Sequence, residues 1–271
     1  MNSTTSDARR NVGLLAACQA MLFTNNSTLI AINGLAGLGL APYTALSTLP
    51  ITCWVLGSAL STMPASLHMK RVGRKRGLAS GIYWGVVGAL VCAGAMWLQS
   101  FWLLCLGTMV WGVFNAYGQY YRFAAADVAT QDFKATAISL VLAGGLVGGI
   151  LGPSASRLTV DLVGPKFMGA YLVLVLFALV TRVLLQFLRI PDPTPLQQQA
   201  SGRPLAKIAA QPKFIVAVLS GAIGSGVMNF LMTSTPIAMR ACGLPYGDAA
   251  FVISWHVVGM FAPSFFTGGL I

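Results

Sequence analysis

The chain has 271 residues, of which 56% are hydrophobic and only 8% charged, and its mean hydropathy is +0.75. A water-soluble domain draws on roughly 25% charged residues, so 17 Lys or Arg and six Asp, with no Glu, cannot cover a globule of this size. Solenoids, soluble nucleotide-binding enzymes and disordered adaptors are excluded, which leaves an all-α, polytopic helical membrane protein whose net charge of +11 must be explained by where its basic residues lie.

A helix needs about 20 apolar residues to cross a bilayer. Eight such stretches are predicted, over 14–38, 48–68, 78–98, 102–125, 137–160, 168–188, 214–239 and 249–270. Arg9, Arg10 and the apolar run behind them look like a secretion signal, with Leu15-Ala16-Ala17-Cys18 similar to a lipoprotein cleavage box. Too little apolar sequence precedes Cys18 and far too much follows it, so an uncleaved first span is expected. Pro191, Pro193 and Pro195, then Gln197, Gln198 and Gln199, interrupt the pattern and mark one long linker, 189–211. Residues 1–188 then form a six-helix unit, and 212–271 the first two helices of a second.

With the N-terminus cytoplasmic, the inner face receives Arg9, Arg10, the five basic residues from Lys70 to Arg76, Lys134, Arg189, Arg203, Lys207 and Lys213. The outer face receives Arg157, Lys166 and Arg240. This asymmetry predicts a multi-pass plasma (inner) membrane protein with its N-terminus inside. It also accounts for a pI of 9.9 through contact with anionic headgroups rather than nucleic acid.

Polar residues inside the spans fall into stripes. In span four Thr108, Trp111, Asn115, Gln119 and Arg122 follow at steps of three, four, four and three, which is one helical face. Span one carries Gln19, Asn26 and Asn33 at heptad spacing, and span seven Ser225, Asn229 and Thr233 at steps of four. Each such residue reads either as an interhelical hydrogen bond or as the wall of a watered cavity. Arg122 inside a span requires an anionic substrate, an acidic partner or a cage of carbonyls, and it is expected to attract an anionic or acceptor-rich substrate group or to form part of the inner gate. His256 reads either as a neutral ring bonded to a neighbouring helix or as a candidate proton site. Cys18, Cys53, Cys92 and Cys105 lie within spans and Cys242 in a loop, a spacing that implies neither a disulfide framework nor a metal cluster. There is no nucleophile elbow, no intramembrane acidic pair and no repeated filter sequence, so an intramembrane enzyme or a channel is a lesser alternative, and no cofactor is expected.

The two units carry a repeat. Asn26 precedes Pro42-Tyr43 by 16 residues, and Asn229 precedes Pro245-Tyr246 by the same 16. The loop after span two reads Lys70-Arg71-Val72-Gly73-Arg74-Lys75-Arg76. It resembles the span-two loop motif of the major facilitator superfamily of secondary transporters, matched by Arg71, Gly73, Arg74 and Lys75. Ser66 stands where that family has Gly, and Lys70 where it has Asp. Ala126-Asp127 ahead of the next inner loop is a further similarity. Gly144, Gly148 and Gly152 at every fourth residue, then Pro153, resemble the family's span-five signature and form a smooth face for close helix packing. Ser156 and Arg157 replace its final glycine pair.

The resemblance implies a carrier working by alternating access, with spans one, four and seven lining a central cavity. It makes Asn26, Asn115, Gln119, Arg122, Asn229 and Thr233 candidate substrate-binding residues. The substrate implied is an amphipathic organic solute of drug or vitamin type. The segment Tyr120-Tyr121-Arg122-Phe123-Ala124-Ala125 is similar to a bacterial branch that includes riboflavin-type vitamin carriers. Two six-span halves at an offset near 200 residues would run to about 400. A truncated, non-transporting product is therefore the alternative expectation. The partners are then the bilayer, the solute, and the missing C-terminal helices or another subunit that supplies them.

Overall fold

The structure is a computed structural model that describes residues 5–190 and 205–262. Among these residues the elements are helices α1 (Thr5–Leu40), α2 (Leu49–Val72), α3 (Arg74–Trp97), α4 (Phe101–Gly118), α5 (Tyr121–Val128), α6 (Lys134–Thr159), α7 (Met168–Gln186), α8 (Leu205–Ala209), α9 (Pro212–Ala241) and α10 (Tyr246–Phe261), with 3₁₀ turns before α2 and α6. Seven described stretches are long and apolar enough to cross a membrane, α4 and α5 together forming one of them. The eighth predicted span is followed as far as Phe261; residues 263–270 lie outside the described residues, as do the prolines and glutamines that mark the linker. Leu60, Trp84, Leu106, Ile150, Leu179, Val183, Phe214 and Phe230 are exposed around the bundle. An apolar surface of that extent suits hydrocarbon, where helices satisfy their own backbone groups. The chain is a multi-pass integral membrane protein.

α1 is the least apolar of the seven spanning stretches and also the most buried. The two properties have one cause. Gln19, Asn25, Asn26, Ser27, Thr28 and Asn33 are all buried within the bundle, and side chains of that kind are stable in a membrane only when other helices shield them from lipid.

The glycine stripe of α6 lies on α1. A Cβ at Gly144, Gly148 or Gly152 would meet the carbonyl oxygen of Ala16, Ala20 or Thr24 respectively, so both helices advance four residues at a time with their backbones in contact. Thr28 Oγ1 donates across this seam to the Gly152 carbonyl at 2.9 Å. Pro153, next to the last glycine of the stripe, is buried within α6. α2 and α4 approach equally closely, Gly57 against the Met109 carbonyl and Gly112 against the Trp54 carbonyl. Where side chains are this small, dispersion contacts between backbones hold helices together without help from water.

Span four differs from its prediction as a continuous helix. α4 ends at Gly118, Gln119 and Tyr120 form a turn, and α5 resumes at Tyr121. Gly118 is pressed against the Leu22 side chain, which fixes the chain where the helix gives way. The predicted stripe therefore does not run straight into Arg122.

At the basic end of the bundle Gly73 alone joins α2 to α3, with φ of 92°, a conformation that a side chain would strain. Arg71 is exposed at the end of α2. Arg74 pairs with Asp127 of α5 at 2.9 Å. Lys75 Nζ donates to the carbonyls of Gln186 and Leu188 at 2.8 and 2.7 Å, and so caps α7 with a cation at the negative end of its dipole. Asn11 completes the clasp, donating to the Arg189 carbonyl at 2.7 Å and accepting from the Arg189 N–H at 3.1 Å. Because the Arg74 and Asp127 side chains are 32% and 49% exposed, Asp127→Asn should cost about 0.2–1 kcal/mol. A thermal melt of the single variants and of the double variant with Arg74→Gln checks this; a coupling well above that range would mean that the pair is shielded from solvent.

Candidate substrate cavity

A cavity of about 420 Å³ lies where the six-helix unit meets α9 and α10. That is within the range that encloses a small organic ligand. Its walls come from α1 (Phe23, Asn26, Ile30), α2 (Trp54, Ser58, Thr62), α4 and the turn after it (Asn115, Gln119), α9 (Ser225, Met228, Asn229, Met232) and α10 (Val257, Met260).

The polar groups are concentrated around one amide. Asn115 Oδ1 accepts from Asn26 Nδ2 at 2.7 Å and from Gln119 Nε2 at 3.4 Å, while Asn115 Nδ2 donates to Ser58 Oγ at 2.9 Å. Three helices and a turn are thus tied together at the cavity wall. Tyr120 Oη donates to the Thr62 carbonyl at 3.0 Å and ties the turn to α2 one helical turn further along. Across the cavity, Asn229 Nδ2 donates to the Ser225 carbonyl of its own helix at 2.9 Å, and both residues line the cavity.

The other residues singled out from the sequence lie elsewhere. Thr233 lines an adjoining cleft of about 700 Å³ between the N-terminal part of α2 and α9, a cleft that Asn229 and Ser225 share. Arg122 is not part of the cavity lining. The break after Gly118 re-aims α5, and the guanidinium carbon sits 5.0 Å from the centre of the Phe123 ring with Nε buried and unpartnered. His256 does not line the cavity, although Met260, one turn along α10, does, and the His256 Nε2 is buried without a partner. Asn33 accepts a hydrogen bond from Tyr171 Oη within the six-helix unit. Trp111 and Thr108 are core residues, Trp111 packed edge-on against Phe114 and Thr108 donating to the Cys105 carbonyl.

Among the cavity residues not singled out from the sequence are Trp54, Ser58 and Thr62. They follow at steps of four along α2, and that stripe was a signal of the same kind as those on α1, α4 and α9. His68, further along α2, shares a hydrogen bond of 2.8 Å with Tyr117 Oη.

The two halves touch away from the basic end. Ser156 and Tyr246 share a hydroxyl–hydroxyl hydrogen bond of 2.6 Å, Phe167 packs edge-on against Tyr246, and Gly34 lies against Thr233 and Ile237. Towards the basic end residues 212–227 of α9 are exposed throughout. This geometry is a mid-bundle cavity between two units that are joined at one end and parted at the other.

Residues 12–271 match the Major Facilitator Superfamily model. The chain belongs to this family. It is therefore a relative of transporters and not of enzymes. It is 40% identical over 269 residues to the riboflavin transporter RfnT of Brucella anthropi, covering 97% of this chain and 67% of that protein. It is 29% identical over 242 residues to the uncharacterized MFS-type transporter YdeG of Bacillus subtilis, covering 84% of this chain and 56% of that one. The chain thus spans between just over half and about two thirds of these relatives' lengths. Among solved structures, the fucose:proton symporter FucP of E. coli matches with a TM-score of 0.67 at 15% identity, over 96% of this chain and 70% of that one. A D-xylose–proton symporter matches with the same TM-score at 14% identity, over 93% of this chain and 66% of that one. At such identities the likeness is one of fold alone.

Proposed function

We propose that this chain forms the substrate-binding part of an alternating-access carrier for riboflavin or a similarly flat, amide-bearing solute. The observation that carries the proposal is the hydrogen-bonded cluster of Asn26, Ser58, Asn115 and Gln119 in a cavity whose remaining lining, Trp54 included, is mainly apolar. An aromatic wall and a small set of placed amides suit a ring system with polar edges better than a polyol. The 40% identity to a riboflavin transporter along nearly the whole chain points to the same solute. The excess of basic residues at the α2–α3 end supports a plasma-membrane protein with that end, and the N-terminus, in the cytoplasm. The structure then corresponds to a cytoplasm-facing state, with Ser156 and Tyr246 in the closed outer contact.

Uptake of labelled riboflavin by a riboflavin auxotroph expressing the chain tests transport, and flavin fluorescence quenching by the purified chain tests binding. Binding with uptake is expected; binding without uptake would favour the non-transporting alternative, and no binding would sink the flavin assignment. Arg122, away from the lining, is assigned to the inner gate. Arg122→Gln should lower uptake severalfold while leaving the binding constant within about threefold of wild type; an equal loss in both would place Arg122 in the site after all. His256 is assigned to proton coupling. His256→Gln should flatten the pH dependence of uptake with binding intact, and an unchanged pH profile would remove it from that role.

A further inference from the structure

Several buried polar atoms in the described part of the bundle have no hydrogen-bond partner, and they belong to Gln19, Asn25, Asn26, Asn33, Trp54, Trp111, Arg122 and His256. Only two of these residues line the cavity, Asn26 and Trp54. Each is 7% exposed. In Asn26 the amide nitrogen is committed to Asn115, so the unused atom is the acceptor Oδ1. In Trp54 it is the donor, the indole Nε1–H. An unmet donor and an unmet acceptor on two residues that line one cavity are costly to keep, and they become favourable when a ligand supplies their complements.

We propose that these two atoms form a recognition pair for a lactam or imide edge: Asn26 Oδ1 accepts from a substrate N–H, and the Trp54 indole donates to a neighbouring carbonyl oxygen. The proposal rests on the riboflavin assignment above, since the pyrimidinedione edge of a flavin carries an N–H between two carbonyls. A sugar hydroxyl could satisfy either atom singly. The rest of the wall, with Phe23, Ile30, Met228, Met232 and Met260, favours a flat apolar body behind that edge. The Asn115 network fixes which atom of Asn26 is free. With its N–H given to Asn115, Asn26 presents an acceptor and discriminates against ligands that lack a donor there.

The test needs no variant in its first arm. The purified full chain is titrated with riboflavin and with riboflavin methylated on the imide nitrogen, which removes the donor and changes little else. Riboflavin should bind roughly tenfold or more tightly than the methylated analogue, because the analogue leaves Asn26 Oδ1 unpaired. Asn26→Leu should bind riboflavin more weakly and lose the discrimination. Trp54→Phe, which keeps an aromatic wall, should weaken both ligands to a similar degree and retain the discrimination. Equal binding of the two flavins by the wild-type chain would overturn the recognition pair while leaving the flavin assignment standing, as would full discrimination in Asn26→Leu. Binding of neither flavin by the wild-type chain would overturn the flavin assignment itself, and the recognition pair with it.

Discussion

Asn115→Ala should reduce riboflavin binding by about two orders of magnitude and leave the helical bundle assembled. The Asn115 amide holds Asn26 at 2.7 Å, Ser58 at 2.9 Å and Gln119 at 3.4 Å, so its loss releases three recognition groups at once. A misplacement of about 1 Å in such groups is enough for a hundredfold effect. The stability cost should be smaller. Asn115 lies on the wall of a cavity, and water entering the vacated space can bond the Asn26 and Ser58 groups that lose their partner. A loss of about 1–2 kcal/mol is expected, at the low end for leaving buried polar groups to find new partners. Fluorescence titration and thermal melting on the same preparation separate the two effects. Binding within about threefold of wild type would mean that the network holds the helices together and has no part in recognition.

The spans were legible in the sequence because hydrocarbon thickness dictates their length, and few other constraints act on a helix that faces lipid. The seam between α1 and α6 was half legible. Gly144, Gly148 and Gly152 declare a smooth face, but nothing in that spacing names Ala16, Ala20 and Thr24 as the surface it meets. The cavity followed the same rule. Asn26, Asn115, Gln119 and Asn229 could be singled out because polar groups in a membrane need a reason. Trp54 was legible only as the first member of the four-step stripe with Ser58 and Thr62, and its unpaired N–H shows only in three dimensions. The displacement of Arg122 depends on the turn after Gly118, where neither proline nor a charge run announces a break. The clasp of Lys75 on the end of α7 joins segments more than 100 residues apart. Such pairings arise from tertiary packing and leave no local pattern.

Gly148→Leu should prevent the six-helix unit from assembling normally. A Cβ at Gly148 would overlap the Ala20 carbonyl oxygen and press on the Phe23 Cβ and the Thr24 amide nitrogen. Two of these three are backbone atoms that cannot rotate away, so the whole of α1 must move. α1 is the most buried helix of the bundle, and moving it disturbs more than one contact. The Thr28 bond to Gly152, one turn along the same seam, would be lost. Asn26 would be carried away from Asn115, so the cavity wall would open with the seam. Overpacking a close-packed contact costs about 1–3 kcal/mol even where side chains can adjust, and here the neighbours are backbone, so a loss of about 3 kcal/mol or more is expected. Gly148→Ala should show a smaller part of the same loss. Val147→Leu, one residue along on the exposed face of α6, should be neutral to within about 0.5 kcal/mol. Size-exclusion profiles and melting temperatures in detergent measure all three. If Gly148→Leu and Val147→Leu melt together, α1 and α6 do not meet backbone to backbone. A graded loss confined to Gly148 would show that the glycine stripe sets the position of the helix that carries Asn26.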